Sequence, residues 1–225
     1  MMWSAFGQSL PSAVGIAISP IPIVLVILML VSVRARANGP AFLVGWLVGV
    51  AAVSGVAFVL AEAADAGADP DVSDGIDIAQ LFVAALFFAL AAKQWRGRPR
   101  PGEEPEQPKL FAAVDGMGAA KACALAFVAC VANPKNLPLA ASAGAGIAQA
   151  GATGGAAAGA LLLFVLVASV SVAAPVVVYF ALGDRAPAIL AEWKSWLIAN
   201  NATVMMVLFG VLGAKAFGTA LGVLG

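Results

Sequence analysis

Two prolines and a lysine stand where a membrane chain accommodates them least. The stretch Val131-Ala132-Asn133-Pro134-Lys135-Asn136-Leu137-Pro138 lies inside an apolar segment from Ala119 to Gln149. Proline removes a backbone donor and blocks the helical turn before it. A lysine at bilayer depth costs about 2.5–3.5 kcal/mol on insertion scales. Asn133 suits an N-cap and Pro134 a first helical position, so a second helix can start there, in mid-membrane, after a first ends near Ala132. Such a start exposes backbone N–H groups at the positive end of a helix dipole, and Lys135 adds a full charge. The chemistry predicted is capture of an anion or of a polar head group by Asn133, Pro134, Lys135 and Asn136. A proline kink with a snorkelling lysine is the alternative. On the capture reading, Lys135→Ala cuts binding with little loss of folded protein.

A second such break stands at Ser19-Pro20-Ile21-Pro22, where Ser19 can cap a half-helix beginning at Pro20. Lys215 is the other charge well inside an apolar segment, and it either faces a site or snorkels outward. Ser19, Pro20, Pro22 and Lys215 therefore join the candidate substrate-binding residues.

The elements that hold these residues must be membrane helices. The chain of 225 residues is 62% hydrophobic and 11% charged, against about 25% charged in soluble domains. Net charge is zero and no basic tract occurs, so nucleic acid is excluded as a partner. Six spans are predicted, over Ser12–Val33, Ala41–Ala61, Ile78–Ala92, the broken segment around Asn133, Ala156–Leu182 and Thr203–Leu224. Met1 to Pro11 reads as a short lead without the basic stretch of a cleaved signal peptide. Gly39-Pro40 reads as a turn, Glu62 to Asp77 as a solvated acidic loop, and Gly144 to Gly155 as a small-residue loop. Phe111 to Met117 reads as a short interfacial entry, and residues 187–200, with Pro187, Trp193 and Trp196, as an interfacial helix.

This gives a first three-helix repeat over 1–92, a linker over 93–110 and a second three-helix repeat over 111–225. The linker carries Lys93, Arg96, Arg98 and Arg100, then Glu103, Glu104 and Glu106, and four prolines keep it extended. Ten of the twelve cations lie outside the spans, all at odd-numbered loops, which places those loops in the cytoplasm and both termini outside. Three spans per half invert the second half against the first. Interrupted helices 1 and 4 at matching positions point to a transport site between the repeats, with chance matching of prolines as the alternative. The fold class expected is an all-α polytopic membrane protein with six transmembrane helices in two inverted three-helix repeats.

The chemistry absent is as informative. The sequence has no His, no carboxylate at the depth of Lys135, and no phosphate-binding loop of the G-x-x-x-x-G-K-[ST] type. No catalytic residue, no metal site and no cofactor is expected. Cys123 and Cys130 sit seven apart on one face, too far for a disulfide within a straight helix, and read as packing residues.

Pro20-Ile21-Pro22 and Asn133-Pro134-Lys135 together resemble the lysine-exporter (LysE) superfamily, whose members have six spans, a proline pair in the first and Asn-Pro-Lys in the fourth. The extension to Asn-Pro-Lys-Asn-Leu-Pro, the charged Pro-rich linker and the Ala-Gly-Ala-Gly-Ile-Ala run look closer to one branch. That branch is the glycopeptidolipid- or sulfolipid-addressing (GAP or Sap-like) family of mycobacteria and relatives. The resemblance implies a plasma-membrane transporter or flippase for a cell-envelope glycolipid or an anionic amphiphilic precursor. It implies membrane lipids or that glycolipid as partners. Ile21 stands where amino-acid-exporting relatives carry glycine, and both cysteines lie in one half, against electron transfer. Two rivals stay open. One is an exporter of amino acids or small ions. The other is a non-transporting accessory protein that docks a lipid exporter or biosynthetic enzyme through linker 93–110. A homo-oligomer is also open.

Overall fold

The computed structural model describes residues 1–65, 78–98, 114 and 116–222. The acidic loop beyond residue 65, most of linker 93–110 and most of the 111–117 lead-in lie outside them. Among the described residues every regular element is helical: α1 Met2–Ala17, α2 Pro20–Val31, α3 Ala35–Asp65, α4 Ile78–Arg96, α5 Ala119–Val131, α6 Asn136–Gln149, α7 Gly154–Leu182 and α8 Ala186–Ala220, with a 3₁₀ turn over Gly183–Arg185 between the last two.

Two described stretches are long and apolar enough to cross a membrane, Ala35–Ala64 and the run Gly154–Ala220 that the 3₁₀ turn divides. The pairs α1/α2 and α5/α6 qualify as one span each if counted across their breaks, bent by 57° and 72°. This is a helical membrane protein with two to four candidate spans on these criteria.

The helices fall into two compact units. The first holds α1, α2, α3, α5, α6, α7 and the start of α8 through Ser195. In it α3 packs on α2, α5, α6 and α7, and α1 packs on α6 and α7. Small residues make this possible, because helices in lipid associate by close backbone approach. A Cβ on Gly45 would overlap the carbonyl oxygen of Cys123, and one on Gly144 that of Ser54. A Cβ on Gly49 would stand 2.9 Å from that of Cys130. These contacts advance together along the chain, so α5 and α6 follow α3 in the same direction. Phe42, Trp46, Leu25, Ile27 and Phe164 fill the interior. The second unit holds α4 and α8 from Trp196 on. There Phe87 stacks on Phe209 with ring centroids 6.0 Å apart, and Phe88 covers Gly213.

Several boundaries differ from those read in the sequence, always toward more helix. Residues 2–11 are not a lead but the first turns of α1, which continues through Pro11. Gly39-Pro40 is not a turn, since α3 begins at Ala35 and runs through it. Gly144 to Gln149 is not loop but the last part of α6. Residues 187–200 are continuous with the last helix in α8. One physical reason covers these differences. With no water to take exposed N–H and C=O groups, a membrane chain keeps the helix even over Gly and Pro, and Gly144 earns its place by packing. The chain does leave the helix at Gly183, which takes φ 51° after Leu182.

Gly45→Ala and Gly144→Ala should each lower the thermal unfolding midpoint, by overpacking worth about 1–3 kcal/mol. Gly55→Ala, where an added Cβ meets nothing within 4 Å, should leave the midpoint unchanged or raise it. Thermal unfolding of the purified variants checks the contrast.

Candidate functional site

The local sequence sets both breaks. The residue before a proline is driven to extended backbone, and Ser19 has φ −125° and ψ 93°. Pro20 and Pro22 then occupy the first and third positions of α2, where the missing N–H groups break no bond within that helix. They do remove donors from the end of α1. In an unbroken helix the Ile18 carbonyl would accept from residue 22, which is proline. The Gly15 carbonyl would accept from the Ser19 N–H, but that group bonds Ala17 O at 2.9 Å. Gly15 and Ile18 are thus left with carbonyls to satisfy.

Lys135 satisfies them. Its Nζ donates to Gly15 O at 2.9 Å and to Ile18 O at 2.7 Å. The side chain is 3% exposed. An ammonium group on the carbonyl end of a helix sits at the favourable end of the dipole. Lys135 is therefore neither snorkelling nor reaching into open space. It caps α1 from the second break, so Lys135→Ala costs stability, against the sequence expectation of little loss of folded protein.

The second break is shaped by its own asparagines. Asn133 Oδ1 accepts from the backbone N–H of Lys135 at 2.9 Å and from that of Asn136 at 3.4 Å, which is capping of a turn that opens at Pro134. Regular helix follows from Asn136, within the usual latitude of helix ends. Ser19 stands at the N-cap position of α2 without capping it. Its hydroxyl donates instead to Asn136 Oδ1 at 3.2 Å. The starts of α2 and α6 thereby meet. Asn136 is fully buried, and its Nδ2 has no hydrogen-bond partner.

Of the residues expected at a site, Ser19, Pro20, Pro22, Lys135 and Asn136 are buried and stand at or beside this junction. Asn133 is half-buried and Pro134 exposed. Lys215 is exposed on α8, in the second unit. That the breaks free carbonyls is legible in the sequence, but not which ones or what meets them: Pro22 removes the donor to Ile18, whereas Gly15 loses its donor because the Ser19 N–H turns to Ala17. Sequence reasoning missed Ser12 and Ser142, whose hydroxyls lie 3.2 Å apart and tie α1 to α6 beyond the break. A further omission is Asn38, buried, whose Nδ2 donates to Ser32 Oγ at 3.2 Å and to Met117 O at 3.0 Å. Nothing in an Asn-Gly-Pro string separates such a bridge from a turn.

The junction is built by Pro20, Pro22, Asn133 and Lys135, and the model of one family, described as Sap, sulfolipid-1-addressing protein, matches residues 10–222, which hold all four. The chain belongs to the Sap family. The match upholds the resemblance to the sulfolipid-addressing branch. No curated protein and no solved structure matches this Sap-family chain.

The Ser12–Ser142 contact fixes the antiparallel register of α1 and α6 in this Sap-family protein. Ser12→Cys with Ser142→Cys, in a background where Cys123 and Cys130 are alanine, should form a disulfide under mild oxidation. Val14→Cys with Ser142→Cys should not. Loss of free thiol, measured by mass, distinguishes the two.

Proposed function

We propose that this Sap-family protein carries an anionic amphiphile, a cell-envelope glycolipid or its precursor, across the plasma membrane, with the head group passing the paired breaks. The observation that carries the reading is the Ser19–Asn136 contact. It brings two helix starts together and leaves the Asn136 amide buried with spare donors. Lys135, with three N–H donors and two carbonyl acceptors, keeps one donor in hand. Donors in excess beside two positive helix ends suit an acceptor-rich, negatively charged head group. The family description names a sulfolipid, whose head is of that kind.

The rest of the reading follows from the sequence. The chain would form six spans in two inverted halves, 1–92 and 111–225, kin to the lysine-exporter superfamily, and would catalyse no covalent step. Both termini would lie outside. Linker 93–110 would dock a lipid exporter or biosynthetic enzyme. On the accessory reading that docking is the whole function.

Native mass spectrometry with lipid analysis of the purified protein tests the lipid reading. Asn136→Ala is the informative partner, because it removes spare donors and leaves the Lys135 cap in place. An anionic amphiphile should be retained by the parent and reduced several-fold in the variant. Bulk phospholipid alone, equal in both, would move the weight to export of amino acids or ions. A tag at either terminus should be reachable from outside intact cells, and protection of both tags overturns the orientation.

A further inference from the structure

The carbonyl end of α1 is an unusual acceptor site for a membrane interior. Its two oxygens, on Gly15 and Ile18, converge on one nitrogen contributed from 117 and 120 residues away. Both are left over by the break: one because Ser19 N–H turns to Ala17, the other because Pro22 has no N–H. Carbonyls freed at broken membrane helices are the groups that coordinate small cations in transport proteins. Here the cation belongs to the chain, on a flexible stem, held by hydrogen bonds rather than by a carboxylate. The sequence places no carboxylate at this depth to pair with it.

We propose that the end of α1 is a monovalent-cation site whose resident ion is the Lys135 ammonium, and that it takes a small primary ammonium ion from solution when that side chain is cut away. The chain therefore brings its own cation to the paired breaks and needs none from solution at this position. The ligand class is set by the geometry. It must be singly positive, and it must donate at least two N–H bonds to carbonyls on one side. Methylammonium and ethylammonium meet both conditions. Tetramethylammonium has the charge and no donor.

The test is thermal unfolding of the full-length purified protein, followed through its five tryptophans, for the parent and Lys135→Ala. The probes are ethylammonium, tetramethylammonium and sodium chlorides at equal ionic strength. Removing the cap should lower the midpoint by roughly 5–10 °C. Ethylammonium should recover part of that loss in the variant, in a saturable way, and should not move the parent. Tetramethylammonium should do nothing in either. A folded Lys135→Ala that ignores ethylammonium, or that responds equally to tetramethylammonium, overturns the proposal.

If Lys135→Ala is not recovered folded, Lys135→Arg and Lys135→Gln decide. Arginine keeps charge and donors, so its midpoint should fall within a few degrees of the parent. Glutamine keeps donors without charge and should fall well below. Equal behaviour of the two overturns the proposal. No lipid is measured in any arm, so failure here leaves the lipid reading to its own experiment.

Discussion

A backbone carbonyl that loses its helical partner inside a bilayer has no water to turn to, and each such group costs several kcal/mol. The structure is arranged around that constraint at one place. Prolines at 20 and 22 break the first apolar segment and strand acceptors at the end of α1. The group that meets them is an ammonium that would itself be costly at that depth. Neither half of the arrangement is stable alone. Unpaired carbonyls and an unpaired lysine are each expensive, and together they cancel. A hydrogen bond to a charged donor contributes about 1.5–3 kcal/mol, so the pair of contacts is a principal tie between α1 and the turn before α6.

That tie dictates the packing around it. Two bent helices can share a junction only if their flanking halves also fit, and small residues provide the fit. Gly144 lets α6 reach the backbone of α3 at Ser54, and Gly45 lets α3 reach α5 at Cys123. Ser12 and Ser142 continue the α1–α6 contact away from the break. The first unit thus draws helices from both ends of the sequence. The halves read from chain order are interleaved in it: α1, α2 and α3 from before residue 92, and α5, α6 and α7 from after 110.

The breaks themselves were legible in the sequence, because their causes are local. Ser19 takes extended backbone before Pro20 without capping α2, and Asn133 caps the turn that opens at Pro134. The direction of the Lys135 side chain was not legible. Its acceptors lie 117 and 120 residues away, and the sequence does not show which segments meet. Loop boundaries were misread for the same reason. Gly39-Pro40 and the 144–149 run look like turn residues by composition. In lipid, small size serves close packing, and the helix continues through both. The charged segments beyond residues 65 and 98 lie outside the described residues, and their reading remains one of composition.

The same junction constrains any mechanism of transport. Moving α1 against α6 would strip Lys135 from Gly15 and Ile18, leaving one charge and two carbonyls without partners. The freed charge is the larger cost, and such a step is feasible only if something pairs with it. An acceptor-rich anionic head group can replace the carbonyls on the lysine, and its arrival would lower the cost of opening at the moment the site is filled. A ligand without acceptor oxygens cannot do this, since it leaves the ammonium unpaired in a medium of low dielectric. On the proposed reading, the preference for acceptor-rich amphiphiles and the tie between α1 and the turn before α6 have one cause. Lys135 holds the breaks together until a competing set of oxygens reaches it.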